Sequence, residues 1–177
     1  MKKTVFWCVV TACLLFFSYT AAAQSDFKIG VVDLQKCIAE SVEGKRVYNE
    51  LKSKKDAMQK QVDKKQDELL KISDMLEKQS MMLSMDAKED KAKEFERKKR
   101  EFKYMYEDLT EEMRKAEAEA RTRLIGELEG VVSEIGERDG YMLLFERRSS
   151  GIMHFGKVID VTGEVVKLYD QKKRKGK

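Results

Sequence analysis

Proline is absent from the chain, and glycine is scarce over residues 45–135, where only Gly126 and Gly130 occur. Because these two residue types disfavour helix most strongly, their absence makes helix the main option for this stretch. Apolar residues recur there at steps of three, four and seven, which gives each of two helices one apolar stripe. A break near residues 83–86 separates the two stripes. The pattern predicts an antiparallel helical coiled-coil hairpin arm over residues 45–136, with its tip at the break.

Histidine and cysteine are also rare, with one and three copies respectively. No pair of His, Cys or carboxylate residues has a metal-ligand spacing, and no Ser or Cys lies in a nucleophile motif. Residues 151–158 match seven positions of a phosphate-binding loop, but Val158 stands where a Ser or Thr hydroxyl would bind Mg²⁺. The sequence therefore predicts no enzyme activity, no metal and no cofactor.

Long apolar runs are missing except near the N-terminus. Residues 5–19 are uncharged and mostly apolar; they follow Lys2 and Lys3 and precede an Ala-rich segment that ends at Ala23. This order predicts a signal peptide over residues 1–23, and hence export. The alternative is a lipoprotein cleavage site with a lipid on Cys13, which would leave an unusually short apolar run. After cleavage at Ala23 only Cys37 remains, so an internal disulfide is excluded and a small buried thiol is expected.

An excess of one charge sign is also lacking, because residues 45–136 contain 22 Lys and Arg and 22 Asp and Glu. Balanced dense charge is typical of a solvated coiled-coil exterior. Lys55, Lys65 and Gln79 occupy positions where the first helix should present Leu or Ile to its partner. We therefore expect an arm that forms but is loosely packed and bendable.

Two groups of side chains on the arm are candidates for binding. The apolar candidates are Met75, Met81, Met82, Met85, Phe95, Phe102 and Tyr106. The methionines near the tip are either packing filler or an adaptable apolar surface. The electrostatic candidates are Arg97, Lys98, Lys99 and Arg100. They form either a solvated face or an attraction site for an anionic partner, and export argues against nucleic acid as that partner.

The arm is flanked by residues 24–44 and 137–171, which predict a β-rich assembly body. Expected elements are a strand over 27–34, a short helix over 35–42, a turn at Gly44, a turn at 137–140, a hairpin of strands 141–145 and 152–155, an extended segment over 158–161, and a last helix over 163–169. Thr162 is the predicted N-cap of that helix, and residues 86–89 have the form of a capping box for the second arm helix, with Ser84 as a competing N-cap. Residues 172–177 carry five positive charges and predict a basic disordered tail.

The body has roughly 55 residues, which is near the lower limit for one stable core, and its strands would leave open edges. Sharing strands among copies removes both problems, so we expect a homo-oligomer. The candidate assembly residues are Ile29, Val31, Leu143 and Phe145. The parts together predict an α+β fold, in which a small β body with strands shared among copies carries a long protruding antiparallel coiled-coil hairpin.

The order of these parts resembles the Skp/OmpH family of periplasmic chaperones. The resemblance rests on the strand at 27–33, the charged hairpin with Leu83 and Ser84 at its tip, the strand at 141–145 and the segment 158–166. It implies a soluble periplasmic homotrimer whose arms enclose unfolded outer-membrane β-barrel proteins and keep them soluble without ATP. The resemblance also implies anionic lipid or lipopolysaccharide as a further partner. The chain departs from the family pattern in its methionine-rich tip and its basic tail. The alternative function is a structural coiled-coil spacer or envelope tether, which would need the stiff, filled seam that Lys55 and Lys65 argue against.

Overall fold

The computed structural model of the protein describes residues 27–78, 84–154 and 156–176. The described elements, in chain order, are β1 (Ile29–Val32), α1 (Leu34–Glu40), α2 (Val42–Lys78), α3 (Met85–Asp139), β2 (Leu143–Glu146), β3 (Ile159–Asp160) and α4 (Thr162–Lys175). The fold is mostly helical with one small three-stranded sheet, so the predicted combination of long helices and a small sheet is confirmed, while the segments predicted to be β-rich also contain the helices α1 and α4. The predicted signal peptide with Cys13, and also Gln79, Met81 and Met82, lie outside the described residues.

The two long helices, α2 and α3, pack side by side. Lys54 of α2 lies 2.9 Å from Glu112 of α3, and Lys98 of α3 lies 3.7 Å from Glu68 of α2. In both pairs the two residue numbers add to 166, so a residue later in α2 lies beside a residue earlier in α3. The predicted limits of the helical region, 45–136, were too narrow, because α2 begins at Val42 and α3 continues to Asp139.

The joint between α1 and α2 depends on Ser41. Its backbone N–H donates to Cys37 O and closes α1, while its side-chain oxygen accepts from Gly44 N–H at 3.2 Å and caps the first turn of α2. Gly44 lies inside α2, so the predicted turn at this glycine is wrong. A Cβ there would lie 1.8 Å from Ile38 O, and glycine is needed because the two helices approach closely at this point.

The long helix α3 ends at Asp139 and is followed by its C-cap Gly140, which has φ 69° and allows Tyr141 N–H to donate back to Gly136 O. Its start is capped by Ser84, whose side chain accepts from Ala87 N–H at 3.3 Å, and not by the predicted capping box at residues 86–89. Tyr141 and Met142 form the exit from this helix. For that reason β2 begins at Leu143 and not at the predicted residue 141.

The sheet has the order β2-β1-β3 with both neighbours parallel to β1. The register pairs Ile29 with Leu143 and Val31 with Phe145. The predicted hairpin of 141–145 with 152–155 is wrong, because β2 pairs with β1 and residues 151–154 are irregular, while Phe155 lies outside the described residues. The chain passes from β1 to its neighbour β2 through α1, α2 and α3, and residues 147–158 then carry it to β3 on the other side of β1. Strand-length patterns do not reveal connections of this kind.

The core lies between one face of this sheet, α1, the last turns of α3, and α4. Its buried residues include Val32, Cys37, Leu128, Ile135 and Val165. Two predictions about α4 are wrong. Thr162 is not its N-cap, because Thr162 is already the first helical residue and the N-cap is Val161, which makes no side-chain hydrogen bond; Asp160 Oδ1 accepts from Thr162 N–H at 2.9 Å. Residues 172–175 of the predicted disordered tail are helical, because α4 continues to Lys175.

Candidate functional site

The seam between α2 and α3 buries few side chains away from the body. All the buried residues of α3 lie in its last part, from Leu124 to Ile135, next to the core. Farther along the pair, the buried side chains of the described residues are Met58 and Ile72 of α2. Lys55 is exposed and Lys65 pairs with Glu68 on its own helix, so neither side chain is buried in the seam. The fully buried side chains of the described part of the arm are therefore concentrated at its base.

Large apolar side chains are left exposed along the arm. Among the predicted binding residues, Met85 is 80% exposed, and Met75 and Tyr106 are also exposed. Phe95 and Phe102 are half-buried. Tyr48 and Tyr104 are more exposed than Tyr106, at 68% and 62%, although the periodic stripe did not include them. The sequence does mark these two tyrosines, because each lies outside the apolar stripe of a highly charged helix. A large aromatic side chain is uncommon at such a position, since it is not buried within the arm.

The basic quartet separates into different roles. The Lys98 side chain crosses the seam to Glu68, whereas Arg97, Lys99 and Arg100 are exposed. Lys99 and Arg100 line an open cavity of about 390 Å³ together with Phe102 and Tyr106, whose ring centroids are 6.3 Å apart. The structure thus brings two of the four predicted cations together with two of the predicted aromatic residues.

Other charges on the arm mostly neutralise each other within a helix. Arg114 donates to both oxygens of Glu111, and the hydrogen bonds lower the pKa of that exposed carboxyl to about 2. Arg46 pairs with Glu43 and Glu50 in the same way. Such exposed pairs add little to the stability of a helix, and they keep the arm's exterior solvated.

The sheet has one face against the core and one face away from it. Because side chains alternate along a strand, Ile29, Val31, Leu143 and Phe145 share the face opposite Val32. Val31 is 3% exposed, Ile29 and Phe145 are half-buried, and Leu143 is 48% exposed. The structure therefore brings the four predicted assembly residues onto a single apolar face.

Asp33, directly after β1, connects three elements. Its backbone N–H donates to Thr162 Oγ1 at 3.0 Å, its Oδ1 accepts from Lys36 N–H at 2.8 Å, and its Oδ2 accepts from Arg148 Nε at 3.1 Å. Burial alone would raise the pKa of this carboxyl, but the Lys36 hydrogen bond and the Arg148 guanidinium hold it below its ordinary value. Sequence reasoning gave Asp33 no role, although an aspartate between a strand and a helix is a typical N-cap signal.

Helix α4 is fixed to α3 by polar contacts around Tyr169. The buried Tyr169 hydroxyl donates to Glu127, and burial followed by this carboxylate raises the tyrosine's pKa. Lys173 pairs with the same carboxylate at 2.9 Å, and Lys172 pairs with Glu134. Part of the basic C-terminal segment is therefore bound to the long helix.

Cys37 is buried in the core, as predicted. Burial, followed by the nearby carboxylates, raises the pKa of its thiol to about 12. Within the described ranges no group of three or more His, Cys, Asp or Glu side chains could hold a metal ion. No helix among residues 27–78, 84–154 and 156–176 combines the length and apolar character needed to cross a bilayer.

The comparisons with known proteins agree with this architecture. The model of a protein family described as outer membrane protein (OmpH-like) matches residues 28–169. A crystal structure from Caulobacter crescentus CB15, of a protein proposed to be an outer membrane chaperone (OmpH-like), superposes with a TM-score of 0.72. The two sequences are 19% identical, and the match covers 81% of this chain and 84% of that one, which shows a shared fold. No curated protein sequence matches the chain.

Proposed function

Because this chain belongs to the OmpH-like family of outer membrane proteins, we propose that it is a periplasmic chaperone that holds unfolded outer-membrane β-barrel proteins and needs no ATP. The observation that carries the proposal is the arm, a pair of long helices that buries little of its own seam and exposes methionine and aromatic side chains. An unfolded barrel exposes apolar residues at every second position and aggregates when free. Many weak contacts along such arms would keep it soluble.

The arm in this proposal is an antiparallel coiled-coil hairpin. Its loose packing away from the body, where Met58 and Ile72 are the buried side chains among the described residues, favours bending around clients of different sizes. The binding residues that we propose are those predicted from the sequence, with Tyr48 and Tyr104 added because of their exposure. A stiff spacer or envelope tether is less well supported, because such a protein would fill its seam.

Assembly in this proposal uses the outer face of the sheet. Three copies that join the faces of Ile29, Val31, Leu143 and Phe145 would cover the apolar surface that one chain leaves exposed at Ile29, Leu143 and Phe145. The arms of a trimer would then surround one shared space. The protein would act in the periplasm after cleavage of residues 1–23, as a binding protein and not as an enzyme.

The direct test is a dilution experiment. An outer-membrane barrel protein unfolded in urea is diluted into buffer without nucleotide, with and without the purified protein, and light scattering is recorded. We expect scattering to be suppressed at a stoichiometric ratio of chaperone oligomer to client, which sedimentation of the mixture would measure. Unchanged scattering at a several-fold excess of the protein would contradict the proposed function.

A further inference from the structure

Three cavities lie in a row along the arm. The cavity nearest the body, about 300 Å³, has an apolar floor of Val47, Leu51, Ala120 and Leu124. The middle cavity, about 360 Å³, has a floor of Met58, Val62, Leu109 and Met113. The outer cavity, about 390 Å³, is lined by Phe102 and Tyr106. All three open to solvent, and we call the row the arm groove.

The arm groove is continuous along one side of α3. Glu117 lines both the first and the middle cavity, and Tyr106 lines both the middle and the outer one. Nine of the lining residues of α3 recur in steps of three and four, which places them on a single helix face. They are Glu96, Lys99, Lys103, Tyr106, Thr110, Met113, Glu117, Ala120 and Leu124. At ~1.5 Å per residue, that face is about 42 Å long.

The rim of the groove carries more unpaired positive than negative charge. Lys55, Lys99, Arg100 and Arg121 line the cavities and form no ion pair among the described residues. The lining carboxylates without an ion pair in the same ranges are Glu96 and Glu117. An apolar floor with this rim favours an apolar segment that also carries acidic residues.

The spacing of the cavities matches an extended chain. From one cavity to the next, the lining residues of α3 are displaced by about nine or ten positions, which corresponds to about 14 Å. An extended chain covers about 13 Å in four residues, and residues four apart point to the same face of a strand. Side chains i, i+4 and i+8 of one extended segment would therefore reach the three cavities in order.

We propose that the arm groove binds one strand-forming segment of an unfolded client in an extended conformation, with apolar side chains i, i+4 and i+8 in the three cavities. This inference rests on the proposed function and specifies which surface of the arm contacts the client. Nine residues with alternating apolar and polar character match the length and pattern of a transmembrane β-strand, which has ~9–11 residues. Acidic residues of the segment are attracted by the cationic rim.

The test uses a fluorescent eleven-residue peptide in which Leu or Phe alternates with Asp or Ser, and a second peptide of the same composition with its apolar residues at helical spacing. Binding to the purified full-length protein is followed by fluorescence anisotropy. Thr110 is exposed and lines the middle cavity, so Thr110→Trp should block it. Thr122 is exposed on the same helix and lines none of the three cavities, so Thr122→Trp is the matched control.

We expect the alternating peptide to bind more tightly than the rearranged one. Thr110→Trp should weaken its binding roughly tenfold or more, because one large apolar side chain loses its cavity, while Thr122→Trp should change it by less than about twofold. Circular dichroism checks that both variants fold, and Lys103→Trp at the outer cavity is a second blocking variant. Equal binding by all variants, or equal binding of both peptides, would overturn the inference.

These outcomes are separable from a failure of the proposed function. Blocking variants that bind the peptide normally, in a protein that still keeps an unfolded barrel soluble, would reject the arm groove and leave the chaperone proposal intact. Peptide binding in the groove by a protein that fails to protect the barrel would support the groove and reject the chaperone proposal.

Discussion

Replacing Gly44 by alanine tests the close joint between α1 and α2. A Cβ at this position would lie 1.8 Å from Ile38 O and 2.7 Å from Ile38 C, and both of these are backbone atoms. An ordinary contact begins at about 3.4 Å, so α1 would have to move by about 1.6 Å relative to α2. This movement would disturb Ser41, whose hydroxyl caps α2 at the same place.

Two effects of opposite sign compete in this substitution. Alanine is favoured over glycine inside a helix by ~1 kcal/mol, whereas overpacking a tight contact costs ~1–3 kcal/mol and sometimes more. Because the neighbouring atoms are backbone and cannot rotate away, we expect the upper end of that cost and a net loss of about 2 kcal/mol. For a chain of this size, that loss lowers the unfolding midpoint by ~4–8 °C.

The matched controls are Gly126→Ala and Gly130→Ala, also within a long helix. A Cβ at either glycine meets no atom within 4 Å, so helix propensity alone should act and stabilise the protein by ~0.5–1 kcal/mol. Thermal unfolding is followed by circular dichroism at equal protein concentration, since oligomerisation makes the midpoint depend on concentration. A Gly44→Ala protein as stable as the Gly126→Ala protein would refute the reasoning about the joint.

Three other changes test the polar contacts. Asp33→Asn should reduce the free energy of unfolding at pH 7. Because the folded-state pKa of Asp33 lies below its ordinary value of 3.8, the carboxylate's contribution is present above 3.8 and is lost as the pH falls through the folded-state pKa, so the stabilities of wild type and variant should converge in acid. A difference that persists in urea unfolding at acid pH would show that charge is not the cause. Tyr169→Phe should lower the free energy of unfolding, measured in urea, by ~1.5–3 kcal/mol, because it removes a hydrogen bond to the charged Glu127. The exposed control is Tyr48→Phe, and an equal loss of stability in that variant would contradict the prediction. Deleting residues 172–177 should lower the free energy of unfolding by ~1–2 kcal/mol at most, because it removes the ion pairs of Lys172 and Lys173. The deletion should weaken client binding at ~0.1 M salt but have little effect at ~1 M, where charges are screened. An equal loss of binding at both salt concentrations would indicate specific contacts.

The long helices and the buried thiol were predictable because their signals are local and periodic. The absence of helix-breaking residues and the recurring apolar stripe are properties of neighbouring residues, and tertiary packing did not have to override them. The face shared by Ile29, Val31, Leu143 and Phe145 was likewise accessible, since strand alternation places them together once the register is known.

The parallel sheet and the role of Gly44 could not be read in the same way. The paired strands are more than one hundred residues apart, and their pairing depends on the packing of the whole body. The turn-like composition of residues 147–151 wrongly suggested a local hairpin instead. Gly44 resembles a turn glycine in the sequence, although its requirement comes from another helix's carbonyl. The order of the C-terminal basic segment depends on Glu127 and Glu134, which are distant in the sequence.

Shortening the arm tests most directly whether it holds the client. Since positions whose numbers add to 166 lie side by side, deleting residues 65–78 and 88–101 removes two heptads from each helix, or about 21 Å of arm, and keeps the remaining seam in register. Sedimentation should show the same oligomer as the full-length protein. Light scattering of a barrel protein diluted from urea should then rise nearly to the level seen without chaperone. A shortened protein that assembles and suppresses scattering as well as the full-length one would contradict the account, because the client would then bind to the body.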